Sequence, residues 1–389
     1  MRAIAVFPTE RTVRLVDHPA PRIERPTQVK LRMLEAGICG TDREICAFQY
    51  GTPPPDSPYL VLGHESLGEV AEAGDRVSRV RVGDLAVLRV RRPCSHAECV
   101  ACRAGRQDFC YTGEFTERGI KEAHGFLTEF VVDEESYMNP VPRTLRDVAV
   151  LVEPLAIAEK ALIQVQQVQQ RLPWACPVVP GEKPAFCHRA VVLGAGPVGL
   201  LGAMVLVAND FSTTVYSLEP ADSPKAAVAH AIGAQYVCSK TESVEQLAQR
   251  IGNIDLVYEA TGAASISFTL MEVLGTNGVF IFTGVPGRKA PIALDADHIM
   301  RNLVLKNQVV FGTVNAGPHA FEQAIRDLTL FMSRWPKAVR ALITGRYSIE
   351  ASCDLLLGKS AGIKEVITLD QRLRETHTTP LHEHLKLEP

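Results

Sequence analysis

Residues 93–110, PCSHAECVACRAGRQDFC, place four cysteines and a histidine within eighteen positions. The spacing is Cys94-x4-Cys99-x2-Cys102-x7-Cys110. A C-x2-C step lets two thiolates on one tight turn reach a tetrahedral ion. No general base accompanies the four thiols, so the set suits a closed structural zinc site better than a catalytic one. His96 stands three residues before Cys99 and is the alternative to Cys94 as first ligand, Cys94 being preferred. A zinc ribbon that docks on nucleic acid is a competing use of such a loop. It needs a basic surface, and RVRRPC is the only local basic cluster in a chain of net charge −3. No nucleic-acid partner is therefore expected.

A second group of chemically able residues is dispersed. LEAGICGTD offers Cys39 beside Thr41 and Asp42, LVLGHESLGEV offers His64 and Glu65 behind a glycine, and VLVEPLA offers Glu153 before a proline. Each is bland in isolation, since a lone cysteine is usually core and a lone histidine usually a satisfied hydrogen-bonding group. Their combination carries the interest.

A third signal is VVLGAGPVG, where Gly194, Gly196 and Gly199 with Pro197 and Val198 form a GxGxxG turn. The spacing supplies one glycine for the tight turn, one for close approach of a pyrophosphate and one for helix–strand packing. The helix that follows offers unpaired N–H groups and a positive dipole end to the phosphates. Glu219 lies twenty residues after Gly199, where a carboxylate would hold the ribose hydroxyls of NAD. No arginine occurs in YSLEPADS, although Lys225 is near, so NAD is expected over NADP.

These residues need a scaffold, and the chain divides accordingly. Up to about residue 150 it reads as short β-rich segments such as TQVKLRML, SLGEVAEAG and FLTEFVVDE, cut by Gly, Pro and Asp. VLVEPLAIAEKALIQVQQVQQRL has apolar residues at helical spacing, and the proline-rich RLPWACPVVPGEKPAFCHR reads as a linker. From AVVLGAG onward, apolar strands alternate with helical patterns, the signature of a parallel sheet covered on both faces. FEQAIRDLTLFMSRW reads as a further helix, and the polar stretch from 369 to 389 shows no periodicity. The length of 389 residues allows two domains. Hydrophobic residues at 46% and charged residues at 22% are an ordinary globular composition. No run of eighteen apolar residues occurs, so no membrane span is expected, and a cytoplasmic location is. Disulfides are rare in that setting. Cys46, Cys176, Cys187, Cys238 and Cys353 are accordingly expected as single buried thiols.

Taken together, CGTD, GHE, the cysteine lobe, the EP pair and GAGPVG resemble the zinc-dependent medium-chain dehydrogenase/reductase superfamily in order and approximate spacing. The resemblance spans essentially residues 1–368. RRPC, DFCYTGEFTERGIK and the HGF at His124–Phe126 are most similar to its glucose 1-dehydrogenase branch. The fold class it implies is α/β: a GroES-like β-rich catalytic domain over 1–186, including the zinc lobe, and a Rossmann doubly wound parallel sheet over 187–314. The chain then returns to the catalytic domain over 315–368 and ends in a tail over 369–389.

The resemblance also implies a catalytic zinc held by Cys39, His64 and Glu153, with Glu65 as an alternating ligand or a support, hence two zinc ions per chain. The x4 gap after Cys94 departs from the family's usual x2 and bears on the first structural ligand. The activity implied is hydride transfer from a sugar or polyol hydroxyl to NAD(P)+, best matched by glucose oxidised at C1 to the lactone, with another polyol or secondary alcohol as runner-up. A catalytically silent nucleotide-binding relative is the alternative from another class. Thr41, two residues from Cys39, would relay the hydroxyl proton, and the residue-level alternative is a cap on the helix that follows. Glu114, with nothing local to neutralise it, and Asn315, at the end of the nucleotide domain, are candidate substrate contacts together with Thr41 and Glu153. Glucose-using relatives tend to carry polar side chains where this chain has Val90 and Ile157. The family is usually dimeric or tetrameric, so a homo-oligomer is expected.

Overall fold

The computed structural model describes residues 1–177, 187–287, 291–360 and 362–370. The stretch read as a tail from 371 onward, and the middle of the proline-rich linker, lie outside the described residues.

The β-rich half is built around one long strand, Gln28–Gly37, whose burial is nearly continuous because it is covered on both faces. It pairs antiparallel with Glu65–Ala73, with Phe130–Glu134 and with Lys364–Thr368. The last of these comes from the far end of the chain. The sheet order is Met138–Val141, Leu85–Leu88, Glu65–Ala73, Gln28–Gly37, Lys364–Thr368, Ile343–Ser348. A three-stranded sheet of Thr12–Asp17, Arg2–Phe7 and Leu60–Val61 closes over it, and the space between fills with Ile4, Val29, Leu31, Met33, Leu62 and Phe126.

The second half is a six-stranded sheet in the order Gln235–Cys238, Ser212–Ser217, Arg189–Leu193, Leu256–Glu259, Val279–Phe282, Val309–Gly312, parallel throughout. Strand order reverses between Arg189–Leu193 and Leu256–Glu259. A doubly wound sheet opens its binding crevice at such a reversal. Apolar strands such as RAVVL and LVYE are buried on both faces, as a parallel sheet requires.

The helix Val152–Gln169 joins the halves. Pro154 sits in its first turn, where a missing N–H costs no hydrogen bond. Its buried face, including Leu155, Ala158, Ala161, Leu162 and Val165, belongs to a core that runs from Leu34 and Leu67 through to Val192 and Leu200. The alternating pattern predicted most of this architecture. It did not include the helix Ala296–Leu305, none of whose residues is buried, nor the strand Ile343–Ser348.

The thiols require one correction. Cys46 and Cys238 are buried as expected, and Cys353 is half-buried. Cys176 and Cys187, expected as single buried thiols, are instead joined in a disulfide, their Cα atoms 5.6 Å apart. That separation lies inside the range a disulfide spans. Both stand between the end of the helix Val152–Gln169 and the start of the strand Arg189–Leu193. Among the described residues no helix is long and apolar enough to cross a membrane.

Candidate active site and zinc lobe

Cys39 follows the end of the strand Gln28–Gly37 and caps the short helix Gly40–Cys46. His64 precedes the strand Glu65–Ala73, and Glu65 opens it. Because Gly37 and Glu65 are register partners, the two strand ends deliver Cys39, His64 and Glu65 to one place, with ligand atoms within 4.8 Å of one another. Gly37 is required there, since a Cβ on it would meet Glu65 Oε2 at 2.0 Å.

Asp42 is fully buried and organises the group. Its Oδ2 accepts the Cys39 N–H at 2.8 Å, and its Oδ1 accepts the Gly63 N–H at 3.3 Å. Oδ1 also lies 3.3 Å from His64 Nδ1, leaving Nε2 as the ring nitrogen free for a metal. A carboxylate behind a ligating histidine fixes ring orientation and raises ligand basicity. Burial works against the charged imidazole, but the Asp42 carboxylate outweighs it and raises His64 well above its usual pKa. Burial would likewise raise Asp42, yet His64 and the Cys39 N–H hold it below the ordinary carboxylate value.

Lys364, from the strand Lys364–Thr368, donates to both Glu65 oxygens at 2.6 and 2.7 Å and to the Ile38 carbonyl at 3.0 Å. Both oxygens of Glu65 are thereby engaged by a buried ammonium. Glu153, buried in the first turn of its helix, is the carboxylate still short of a cation. Burial first, then neighbouring Glu65, push it up to about 7, while His64 and Lys364 pull the other way. Glu153 is not in the group of ligand atoms within 4.8 Å, which holds Glu65, but stands near enough for His64, Glu65 and Lys364 to act on its charge. A thiol, an imidazole and a buried carboxylate are the donor types of a three-ligand zinc site with an open position, and the residues present fit that ion. Thr41 lies in the first turn after Cys39 and is half-buried. The N-cap position expected for it belongs to Cys39.

The lobe is local. Cys94, Cys99, Cys102 and Cys110 have their sulfurs within 4.8 Å of one another, brought round by the single helical turn Val100–Arg103. Burial opposes the Cys110 thiolate, but the Thr112 hydroxyl and N–H, with Cys102 and Cys94, bring it down to about 6. His96 is not in the group. Its Nε2 lies 2.6 Å from Glu114 Oε2 and its Nδ1 3.2 Å from Glu98 Oε1. Glu114, expected to lack a local partner, is therefore paired with His96 on the surface. That correction follows from the loop folding 96 and 114 together.

Asn315 is buried, donates to Glu117 Oε1 at 2.7 Å and retains Oδ1 as an unpartnered acceptor. Its carbonyl accepts from buried Lys160 at 2.8 Å, and Lys160 also pairs with Asp108 Oδ2 at 3.2 Å. The helix Val152–Gln169, the lobe and residue 315 thus meet at one ammonium. Val90 is buried in the barrel core, and Ile157 packs against the inter-domain core.

The glycine turn divides its labour as the spacing predicts. Gly194 has φ +105°, and a Cβ there would meet Thr261 Cγ2 at 2.5 Å. A Cβ on Gly199 would meet the Gly194 carbonyl oxygen at 2.1 Å, whereas Gly196 faces open space. Gly196 is the N-cap of the helix Pro197–Ala208, with Pro197 and Val198 in the first turn. Across the crevice, fully buried Glu259 accepts the Thr261 and Gly262 N–H groups at 2.6 and 2.7 Å and the Gly284 N–H at 3.1 Å. Glu219, two residues past the strand Ser212–Ser217, accepts from Ser217 Oγ at 2.6 Å and from Lys225. Burial opposes its charge, but Lys225 and Ser217 lower its pKa.

Four contributors were not singled out from sequence. Asp42 had a signal, its capping-box position three residues after Cys39. Lys364, Lys160 and Glu259 had none, because their partners are long-range or backbone.

The family profile described as Alcohol dehydrogenase GroES-like domain matches residues 25–143, and Glucose dehydrogenase C-terminus matches residues 146–369. The chain belongs to the zinc-dependent medium-chain dehydrogenase/reductase superfamily. Within it, the chain falls in the glucose dehydrogenase branch. A Glucose 1-dehydrogenase of Methanocella arvoryzae is 37% identical over 370 residues, 95% of this chain and 99% of that one. The Glucose 1-dehydrogenase of Thermoproteus tenax is 39% identical over 330 residues, 84% and 88% of the two chains. The solved structure of Haloferax mediterranei glucose dehydrogenase in complex with NADP, Zn and gluconolactone superposes with a TM-score of 0.83 at 30% identity, covering 95% of this chain and 99% of that one.

Proposed function

We propose that this chain is a zinc-dependent dehydrogenase that oxidises the C1 hydroxyl of an aldose, glucose being the leading candidate, to the lactone with a nicotinamide dinucleotide as hydride acceptor. The observation that carries the reading is the convergence of Cys39, His64 and Glu65, with Glu153 beside them, in a family whose matched members include glucose dehydrogenases. The oxidation removes a hydride from C1 and a proton from the attached oxygen. Zinc held by Cys39, His64 and Glu153 would supply the Lewis acidity that makes this hydroxyl acidic. The chain's own residues do the rest. Asp42 keeps the His64 ring oriented, Lys364 holds the Glu65 carboxylate in place, and Thr41 Oγ1 accepts the hydroxyl proton and passes it outward. The unpartnered Asn315 Oδ1 supports a role in accepting a bond from another sugar hydroxyl. Glu114 remains a second candidate contact once it parts from His96. Four cysteines of the lobe hold the structural zinc, with Cys94 rather than His96 as first ligand.

For the acceptor, Glu219 supports NAD over NADP, because a carboxylate beside the ribose repels a 2′-phosphate. Lys225 on that carboxylate softens the repulsion, so the preference is modest. The chain forms a homodimer or homotetramer, and the edge strand Val309–Gly312 with the helix Ala296–Leu305, where Met300, Val304 and Leu305 are exposed, supports an interface there. Sedimentation showing a monomer at micromolar concentration overturns that part.

The test of function is a panel of aldoses, polyols and simple alcohols with NAD and NADP, followed by absorbance of the reduced nicotinamide. Glucose or a near epimer should give the highest kcat/KM, with NAD ahead of NADP. Turnover confined to non-sugar alcohols, or none at all, rejects the sugar assignment, and a clear NADP preference rejects the role given to Glu219.

A further inference from the structure

The connection from the helix Val152–Gln169 to the parallel sheet holds sulfur chemistry that neither zinc set uses. Cys176 and Cys187 are bonded across 11 residues of sequence, and His188 follows directly. One ligand atom from each of the three lies within 4.8 Å of the others. His188 Nδ1 is 3.8 Å from Cys176 Sγ, and the Cys187 N–H donates to that same sulfur at 3.1 Å. The imidazole is held rather than free: Trp174 and Phe211 flank it with ring centroids at 4.4 and 5.6 Å. The His188 carbonyl is pinned by the Ser212 N–H at 2.9 Å. Two half-buried cysteines and a buried histidine, next to strand Arg189–Leu193, make a soft donor set of the type that binds zinc.

We propose that Cys176, Cys187 and His188 form a redox-gated metal site, which binds nothing as the disulfide and takes one thiophilic divalent cation as the dithiol. Opening the site breaks the S–S bond with two electrons and two protons. A dithiol supplies both and leaves as its own disulfide, whereas a phosphine supplies the electrons and water the two protons and the oxygen of the phosphine oxide. Metal entry then displaces the two thiol protons, and His188 Nδ1 provides the third donor. The two states exclude each other because the disulfide consumes the two sulfurs that the cation needs. This site stands apart from the dehydrogenase reading and survives or fails separately from it.

The experiment uses the full chain isolated without reductant. Bound zinc is counted before and after anaerobic reduction with a phosphine, equilibration with zinc and desalting, in the wild type and in Cys176→Ser/Cys187→Ser. The oxidised wild type should yield a cross-linked peptide containing both cysteines. Reduction should add one zinc per chain to the wild type and none to the double variant. His188→Ala should keep the cross-link but lose the added zinc. No gain in the wild type, an equal gain in the double variant, or separately alkylated Cys176 and Cys187 after oxidation overturns the proposal.

Discussion

The two donor sets of this enzyme are assembled in opposite ways. The lobe draws Cys94, Cys99, Cys102 and Cys110 from one loop, turned by a four-residue helix, with two of its sulfurs half-exposed. The catalytic set draws Cys39, His64, Glu65 and Glu153 from two strand ends and a helix start, and its supports reach further still. Lys364 is 299 residues from the Glu65 it holds. A loop that closes on a metal couples binding to local folding. A site held by buried, mutually charged groups depends on every partner being present. Loss of a lobe ligand should therefore cost stability first, and loss of a group in the catalytic set should cost turnover first.

The sharpest break in that contrast comes from His64→Ala. Turnover should disappear while dinucleotide binding, measured by fluorescence titration, persists, since the glycine turn lies on the other sheet. Retained turnover would remove His64 from the site.

Thr41→Val should lower the rate of the chemical step by about 10²–10⁴-fold, the usual worth of a positioned proton-transfer group, and Thr41→Ser should restore most of it. Wild-type turnover in Thr41→Val, with a substrate deuterium isotope effect confirming that chemistry limits the rate, would reduce Thr41 to a helix residue.

Lys364→Met tests the supports rather than the ligands. It leaves the buried Glu65 carboxylate without its ammonium, which should cost about 3–5 kcal/mol of unfolding free energy. Glu65→Gln in the same background should recover part of it. A denaturant midpoint unchanged by Lys364→Met would show that Glu65 is neutralised some other way.

The smallest expected effect concerns the approach to His64. The Val61 N–H donates to His124 Nδ1 at 3.1 Å. Burial first, with His18 and Arg118 adding, pushes the His124 pKa down from 6.5 to about 4. The unfolded chain then binds a proton that the folded chain refuses, so this contribution is full above pH 6.5 and is lost as pH falls toward 4. His124→Asn should flatten the stability profile across that window, and an unchanged profile would remove His124 from the acid response.

How much of this was legible depended on distance along the chain. The lobe could be read from spacing alone, because local turns fix its geometry. The three glycines could be read because each does a backbone task that no other residue performs. The candidate catalytic ligands can be read only when CGTD, GHE and the EP pair are taken together, since no periodicity links positions 39, 64 and 153. Lys364 and Lys160 were invisible. Each lies in an ordinary segment, and its role arises from a pairing that exists only after the far end of the chain returns to the first sheet. Cys176 and Cys187 escape sequence for a related reason: cellular compartment sets only how rare disulfides are, whereas the placement of these two residues 5.6 Å apart decides this one. The partner of Glu114 is not legible because His96 lies 18 positions before it and meets it only once the lobe has folded.

Three dispersed ligands, Cys39, His64 and Glu153, and the four clustered cysteines would hold two zinc ions at separate sites of different character. Elemental zinc analysis of protein isolated without reductant or chelator tests it most directly, comparing the wild type with His64→Ala and Cys102→Ser. The account predicts two zinc ions per chain in the wild type and one in a folded His64→Ala. It predicts a destabilised Cys102→Ser, its thermal midpoint lowered, that also holds one. Two zinc ions retained in His64→Ala, or a Cys102→Ser variant with full metal and unchanged stability, would contradict it.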